Sequence, residues 1–374
     1  MSKISLLLLA CSMLSSASFG QKKIRVSNTL DMPRQEIISI PYVTFTKHFG
    51  VDSLFRVTSE ETTEQMLHQL EKLGKQTPQY VLIAVSVPAQ STMNLIVTAS
   101  EKKPSFPQKT FARFVPERFD DFAWENDVVA FRMYGKALEG RADNAQGTDF
   151  WAKRTEKLII NKWYLENDYH TDHGEGLDYY AVGQTLGAGD LGLYLGDSVR
   201  YTKHYRAYEV LDNGPIRTTF KLTFERENIH GQNISVVKTI SLDAGQHFNK
   251  IVLAINNEQA KKTPIVVGLV KRSEERPIYL YNKKNKALTY WEPDIKSHGQ
   301  TGTALIIPEG KVHFIADDKK QFLLRTTATN GKPFVYYSGA AWNKAGKITS
   351  AESWQENVQN RASQMKEPLQ VTLQ

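Results

Sequence analysis

The stretch Ile234-Ser235-Val236-Val237-Lys238-Thr239-Ile240-Ser241-Leu242, followed by Asp243-Ala244-Gly245-Gln246 and then residues 247–255, decides how the chain folds. Apolar and polar residues alternate on both sides of a short turn carrying Asp and Gly, the pattern of a hairpin of half-buried strands. The preceding segment repeats it: residues 206–211, the turn Asp212-Asn213-Gly214-Pro215, then 216–224. Further strand-like runs lie at 128–134, 265–270, 278–281, 287–291, 304–307, 312–315, 322–327 and 334–338. So many short strands between turn formers predict an all-β protein, a large antiparallel β-sandwich.

Upstream, residues 23–103 read as strands, at 36–46 and 80–87, around one helix. Ser59 would cap that helix, Glu60 and Glu61 would occupy its first turn, Met66, Leu67, Leu70 and Leu73 would form its apolar face, and Gly74 would end it. Glu101-Lys102-Lys103-Pro104 with Pro107 reads as a linker. The expected organisation is therefore a smaller N-terminal β-rich domain (21–105) and a main β-sandwich (106–374). Thr349-Ser350-Ala351-Glu352 reads as a capping box opening a short C-terminal helix with Trp354, Val358 and Ala362 on one face.

At the N-terminus, Lys3, an apolar run over 4–9 and small residues ending in Ser18-Phe19-Gly20 predict a signal peptide over 1–20 and an exported, periplasmic protein. Leu8-Leu9-Ala10-Cys11 also resembles a lipoprotein box, a less favoured reading. Cys11 is the single cysteine, which excludes internal disulfides and thiolate metal sites. The formal charge of +7 is spread along the chain without a basic tail or stripe, so no nucleic-acid partner is expected. No later apolar run is long enough to span a membrane. The oligomeric state is left open.

Chemistry concentrates at His170-Thr171-Asp172-His173-Gly174-Glu175-Gly176-Leu177-Asp178-Tyr179-Tyr180. His170 and His173 suit proton transfer, with Asp172 and Glu175 to orient them. The same four residues could hold a divalent metal, although their spacing matches no strong signature, so no cofactor is expected. Trp124, Glu125, Asn126, Arg132 and Tyr134 suit a sugar: an indole to stack, polar groups for its hydroxyls, a guanidinium for a carboxylate. Lys153 and Arg154 are adjacent, so only one of them can face such a site; Trp163 and Tyr164 divide likewise if they lie on a strand. The glycine-rich segment 183–196 lacks the context of a phosphate loop and reads as tight β-turns that let backbone approach the site. The other histidines, among them His247 and His298, read as structural.

The segments Arg118 to Asp127, Phe131-Arg132-Met133-Tyr134-Gly135, His170 to Tyr180, Asn213-Gly214-Pro215-Ile216-Arg217 and Tyr336-Tyr337-Ser338-Gly339-Ala340-Ala341-Trp342 resemble, in order, a domain family of formerly unknown function. It occurs among exported proteins of bacterial polysaccharide-utilisation loci and includes dehydratases acting on ulvan oligosaccharides. The resemblance implies a sandwich similar to the mutarotase and lyase supersandwiches, and an acidic oligosaccharide as substrate. It also implies a β-elimination that removes water from a terminal uronic acid. For that chemistry His170 or His173 would serve as base, Tyr179 or Tyr180 as base or acid, and Arg132, Lys153 or Arg154 would meet the carboxylate. Two other readings stay open. One is a glycoside hydrolase or polysaccharide lyase, the former with its carboxylate pair drawn from Asp120, Asp121, Glu125, Glu175 and Asp178. The other is a non-catalytic glycan-binding protein with Trp124, Trp151 and Trp163 as platforms.

Overall fold

The structure is a computed structural model that describes residues 22–374; the expected signal peptide and the box at Cys11 lie outside the described residues. Both hairpins form. Ala207–Asn213, Arg217–Ile229, Gln232–Asp243 and Phe248–Asn257 pair in sequence, then Phe334–Trp342, Thr301–Ile306, Ala287–Trp291 and Ile278–Asn282 complete an eight-stranded antiparallel sheet. A second sheet of Val199–Arg200, Ala188–Tyr194, Lys262–Val270, Gln321–Thr329 and His313–Ile315 faces it. Alternation along Gln232–Asp243 sends Ile234, Val236, Ile240 and Leu242 into the space between the sheets, where they meet Ile265, Val267, Leu269, Phe322 and Leu324. This is the expected antiparallel β-sandwich. No helix among the described residues is long and apolar enough to cross a membrane.

A third sheet, ordered Gly176–Leu177, Thr148–Lys153, Ala130–Met133, Asp121–Asn126 and Thr110–Val115, carries most of the residues singled out above. The segment expected to form glycine turns is instead the buried strand Ala188–Tyr194, whose glycines let neighbours approach: a Cβ on Gly192 would lie 2.9 Å from Val199.

The N-terminal part has its own core of Ile24, Val26, Phe45, Phe55, Val57, Val81 and Leu95, beneath two small sheets. The helix expected after Ser59 is absent. A turn follows Phe55–Ser59, and His68–Glu71 is a strand paired with Tyr80–Val87. Tertiary contacts override the helical spacing: Gln69 Oε1 accepts from the backbone of Ile216 and Arg217, and Glu71 lies beside the Arg217 guanidinium. The run read as a strand over 36–46 is one only as far as Pro41; the helix of this region, Tyr42–Phe49, begins inside it, and Gly50 ends it in the left-handed region. The last strand, Gln370–Leu373, returns to pair with Lys23–Ser27.

The C-terminal helix runs Ala351–Lys366 and buries Trp354, Val358 and Ala362, as the periodicity indicates. Its box is shifted by one residue, with Ser350 as cap and Ser353 as partner. Trp354 stacks on Phe248 at 5.6 Å, over Gly302, and fastens the helix to the outer face of the large sheet. Trp354→Ala is expected to cost about 3–5 kcal/mol, the usual range for a buried Trp truncation, read as a lowered denaturation midpoint with the β-sheet circular dichroism retained.

Candidate active site

The loop 168–180 is pinned to the end of the strand Thr148–Lys153. Gly176 pairs with Lys153 at φ +122, and a Cβ there would lie 2.0 Å from the carbonyl of Ala152, so only glycine fits. This pairing places the loop against Arg154, whose Nε donates to the Gly174 carbonyl at 3.1 Å and whose Nη2 donates to Asp172 at 2.5 Å. Glu175 is held by Lys162 at 2.8 Å, and exposed His173 by Asp168 at 2.9 Å. The four proposed metal ligands are thus engaged with other groups or apart. Among the described residues no group of three or more His, Cys, Asp or Glu gathers as metal ligands would.

Beneath the loop lies Arg132, buried rather than open to a ligand. Its guanidinium donates to Asp149 and, at 2.9 Å, to Asp178, and lies 3.7 Å from Asp121. One cation among three carboxylates does not neutralise them, and burial raises all three. The Asp178 carboxyl is held well above the usual range, Asp149 is raised, and Asp121 is pushed up to about 7, with Arg132 opposing. Burial likewise holds the hydroxyl of Tyr134, beside Arg132, protonated. His170 sits on the rim of this cluster with its side chain 65% exposed. Its Nδ1 lies 2.8 Å from the Asp178 carbonyl, which can only accept, so Nδ1 is the donor of that bond.

Several residues expected to bind sugar are structural. Trp124 is 1% exposed, with its indole N–H donating to Asn249. Trp151 and Trp163 stack on each other in a separate buried cluster, and all six tryptophans are buried. Trp163 and Tyr164 lie on the helix Ile160–Glu166 instead of a strand, and both are buried. Glu125 accepts from the backbone N–H groups of Ile159 and Ile160, closing the start of that helix, and from Lys153 at 3.0 Å. Lys153 is therefore the inward cation of its pair. Asn126 donates to the carbonyls of Asp243 and Gln246. Tyr180 is buried against Phe150, with Arg272 over its ring.

Besides the exposed loop histidines, a second group of partly exposed side chains lies beside Trp342. The Arg154 guanidinium, 30% exposed, lies 5.2 Å from the indole; the Tyr179 ring is 6.4 Å from it, and the His298 imidazole is 5.5 Å from Tyr179. Strand pairing sets this arrangement. Thr301 lies opposite Trp342 in the large sheet, its hydroxyl 2.6 Å from that of Tyr179, and the Trp342 N–H donates to the His298 carbonyl. Gly299, at φ +105, packs so tightly that a Cβ would lie 2.4 Å from Asn343. Burial raises the Tyr179 phenol and keeps it protonated. Arg154 and Trp342 also wall a crevice of about 230 Å³ shared with His247, Lys347 and Glu156. Burial pushes His247 down to about 4, and its Nδ1 lies 3.0 Å from the Ala340 carbonyl. The sequence reading selected Arg154 and Tyr179 but passed over His298, whose only local signal is the Gly299 beside it.

The crevice, lined by Lys153, Arg154 and Lys347 together with Asp127 and Glu156, lies in an antiparallel β-sandwich that carries a smaller β-rich unit. The chain belongs to the family described as Domain of unknown function (DUF4861), whose profile matches residues 26–371. A relative from Formosa agariphila, "Uncharacterized protein P7", is 32% identical over 282 residues, 71% of this chain and 70% of its own. Among solved structures, a protein in the Glycosyl Hydrolase Family 38 from Enterococcus faecalis superposes with a TM-score of 0.51 at 9% identity, covering 94% of this chain and 47% of that one. An alpha-mannosidase from Enterococcus faecalis V583 gives 0.48 at 8% identity, covering 94% and 46%. The chain thus spans about half the length of these structures, and the likeness is one of fold.

The Asp121 carboxyl rises from 3.8 to about 7, so between those values the folded chain holds a proton that the unfolded chain has released. Its contribution to stability is full at low pH and is lost as pH rises through that window. Asp121→Asn is expected to flatten part of this slope, measured by urea denaturation from pH 4 to pH 8; an unchanged slope would refute the assignment.

Proposed function

We propose that the protein is a carbohydrate-active enzyme that removes water from the terminal uronic acid of an acidic oligosaccharide by β-elimination. The observation that carries the reading is that Arg154 and Tyr179 each lie beside the Trp342 indole, with His298 beside Tyr179, so that a candidate cation, acid and base adjoin one another in turn around it. The family resemblance to ulvan-oligosaccharide dehydratases and the fold shared with a glycoside hydrolase family 38 protein support a glycan substrate. An exported location agrees with the leader read at 1–20.

In this reading Arg154 meets the uronate carboxylate, where negative charge builds as the proton on C5 leaves. His298, whose ring nitrogens have no hydrogen-bond partner among the described residues, takes that proton. His247 is the poorer acceptor near neutrality because its pKa lies at about 4. The C5 electron pair forms the C4–C5 double bond as the C4–O bond breaks. Tyr179, kept protonated by burial, gives its proton to the departing oxygen, and water leaves. A paired-carboxylate hydrolase is less well served, because Asp121, Glu125 and Asp178 are buried against cations and Glu175 is held by Lys162.

Incubation with a panel of uronate-terminated oligosaccharides, followed by mass spectrometry, is expected to show loss of one water from an otherwise intact chain, with new near-ultraviolet absorbance. Shorter chains with new reducing ends and no such absorbance would sink the proposal in favour of hydrolysis. Arg154→Ala, Tyr179→Phe and His298→Ala are each expected to lower kcat by about 10²–10⁴-fold, the usual worth of a positioned acid or base. If His170→Ala abolishes turnover while His298→Ala does not, the base lies on the loop and the assignment made here is wrong.

A further inference from the structure

Two cavities lie away from Trp342, against the eight-stranded sheet. One of about 900 Å³ and one of about 500 Å³ share Glu36, Lys250, Tyr337 and Arg361, and so form one continuous cleft. Its walls come from four parts of the fold: the strand Arg34–Pro41 of the N-terminal unit, the large sheet, the second sheet at Lys262 and residues 326–329, and the helix Ala351–Lys366. Each cavity lies within the roughly 300–1,000 Å³ typical of ligand sites.

Cations outnumber carboxylates in the larger cavity, whereas Glu71, Asp243 and Glu36 balance Arg217, Lys250 and Arg361 in the smaller one. Lys250, Lys262, Lys311, Lys332 and Arg361 line the larger cavity against Glu36 and Glu309 alone. Glu36 is already engaged, accepting from Arg34 at 2.6 Å while Arg361 stands 3.9 Å away. Lys250 has no carboxylate within salt-bridge distance among the described residues, and crowding by the cleft walls and Arg217 lowers its pKa. The Arg361 Nε is buried without a hydrogen-bond partner. Lys250 thus lacks a close carboxylate and Arg361 meets one only at 3.9 Å, so an anionic group lying between them would gain charge-assisted contacts from both. Tyr337 lies directly opposite Lys250 across paired strands, offering a ring edged by a cation. No histidine lines either cavity, so the imidazole base of the elimination is absent here.

We propose that this cleft is a second, non-catalytic binding site for a saccharide chain bearing carboxylate or sulfate groups, with Lys250 and Arg361 clasping an anionic group beside the Tyr337 ring. The choice of a saccharide rests on the function proposed above; the binding itself does not depend on elimination. Such a site would hold a long anionic glycan while a chain end is processed elsewhere.

The test is calorimetric titration of the full protein with heparin-derived oligosaccharides (sulfated and carboxylated), hyaluronan-derived oligosaccharides (carboxylated only) and neutral cello-oligosaccharides. Binding of one or both anionic sets, but not the neutral one, is expected; the difference between the anionic sets tells sulfate from carboxylate. Lys250→Ala/Arg361→Ala should weaken that binding by about tenfold or more, as expected for loss of a charge-assisted contact pair. Turnover of a short uronate-terminated disaccharide should be unchanged. Lys262→Ala/Lys332→Ala, on the exposed rim, provides a second variant should the first fail to fold, with a smaller loss and a shallower salt dependence expected. Equal binding of neutral chains, no binding of either anionic set, or unaltered affinity in the folded variants would overturn the proposal. So would collapse of disaccharide turnover in Lys250→Ala/Arg361→Ala, which would make the cleft catalytic. Anionic binding without turnover of any oligosaccharide would leave the cleft standing and remove the elimination instead.

Discussion

The buried guanidinium of Arg132 is the constraint on which the candidate site rests. It reaches Asp121, Asp149 and Asp178, which belong to two different strands and to the loop beyond Gly176, and its own strand lies between the other two. Desolvating four charged groups is costly, and removing one partner of such a set typically costs about 3–5 kcal/mol. The cluster therefore does not tolerate independent movement of its parts. Raised carboxyl pKa values relieve the surplus of negative charge by retaining protons.

A division of labour follows at the adjoining pair Lys153 and Arg154. Lys153 turns inward, where Glu125 and two backbone carbonyls saturate its ammonium and fix the start of a short helix. Arg154 leaves the strand end, anchors the loop and keeps part of its guanidinium open beside Trp342. The same residue chemistry is structural at one position and available to a ligand at the next, and the pairing with Gly176 decides which is which.

The sandwich was legible in the sequence because alternation along strands such as Gln232–Asp243 records which face is buried, and turn formers record where the chain reverses. The N-terminal helix was misplaced because Met66, Leu67, Leu70 and Leu73 mimic a 3.6-residue period, whereas distant contacts of Gln69 and Glu71 with Arg217 determine the strand. Among site residues, Arg154 and Tyr179 stood out through the company they keep in sequence. Trp124, Glu125 and Asn126 stood out for the same reason yet are core and capping groups, since composition does not reveal whether a polar group finds a buried partner. His298 was passed over because Trp342, Thr301 and Tyr179, which give it meaning, are distant in sequence and meet only through strand pairing.

The return of Gln370–Leu373 to pair with Lys23–Ser27 bears on how the chain acquires its structure. Lys23–Ser27 is covered on one side by Met93 and its strand and on the other only by Gln370–Leu373, a segment separated from it by most of the described residues. Pairings between such distant segments carry a high contact order and form late. Until that pairing forms, the edge of Lys23–Ser27 offers unpaired backbone groups to any passing strand, a hazard for aggregation. The N-terminal unit thus borrows one of its strands from beyond the sandwich, and its folding is tied to that of the whole.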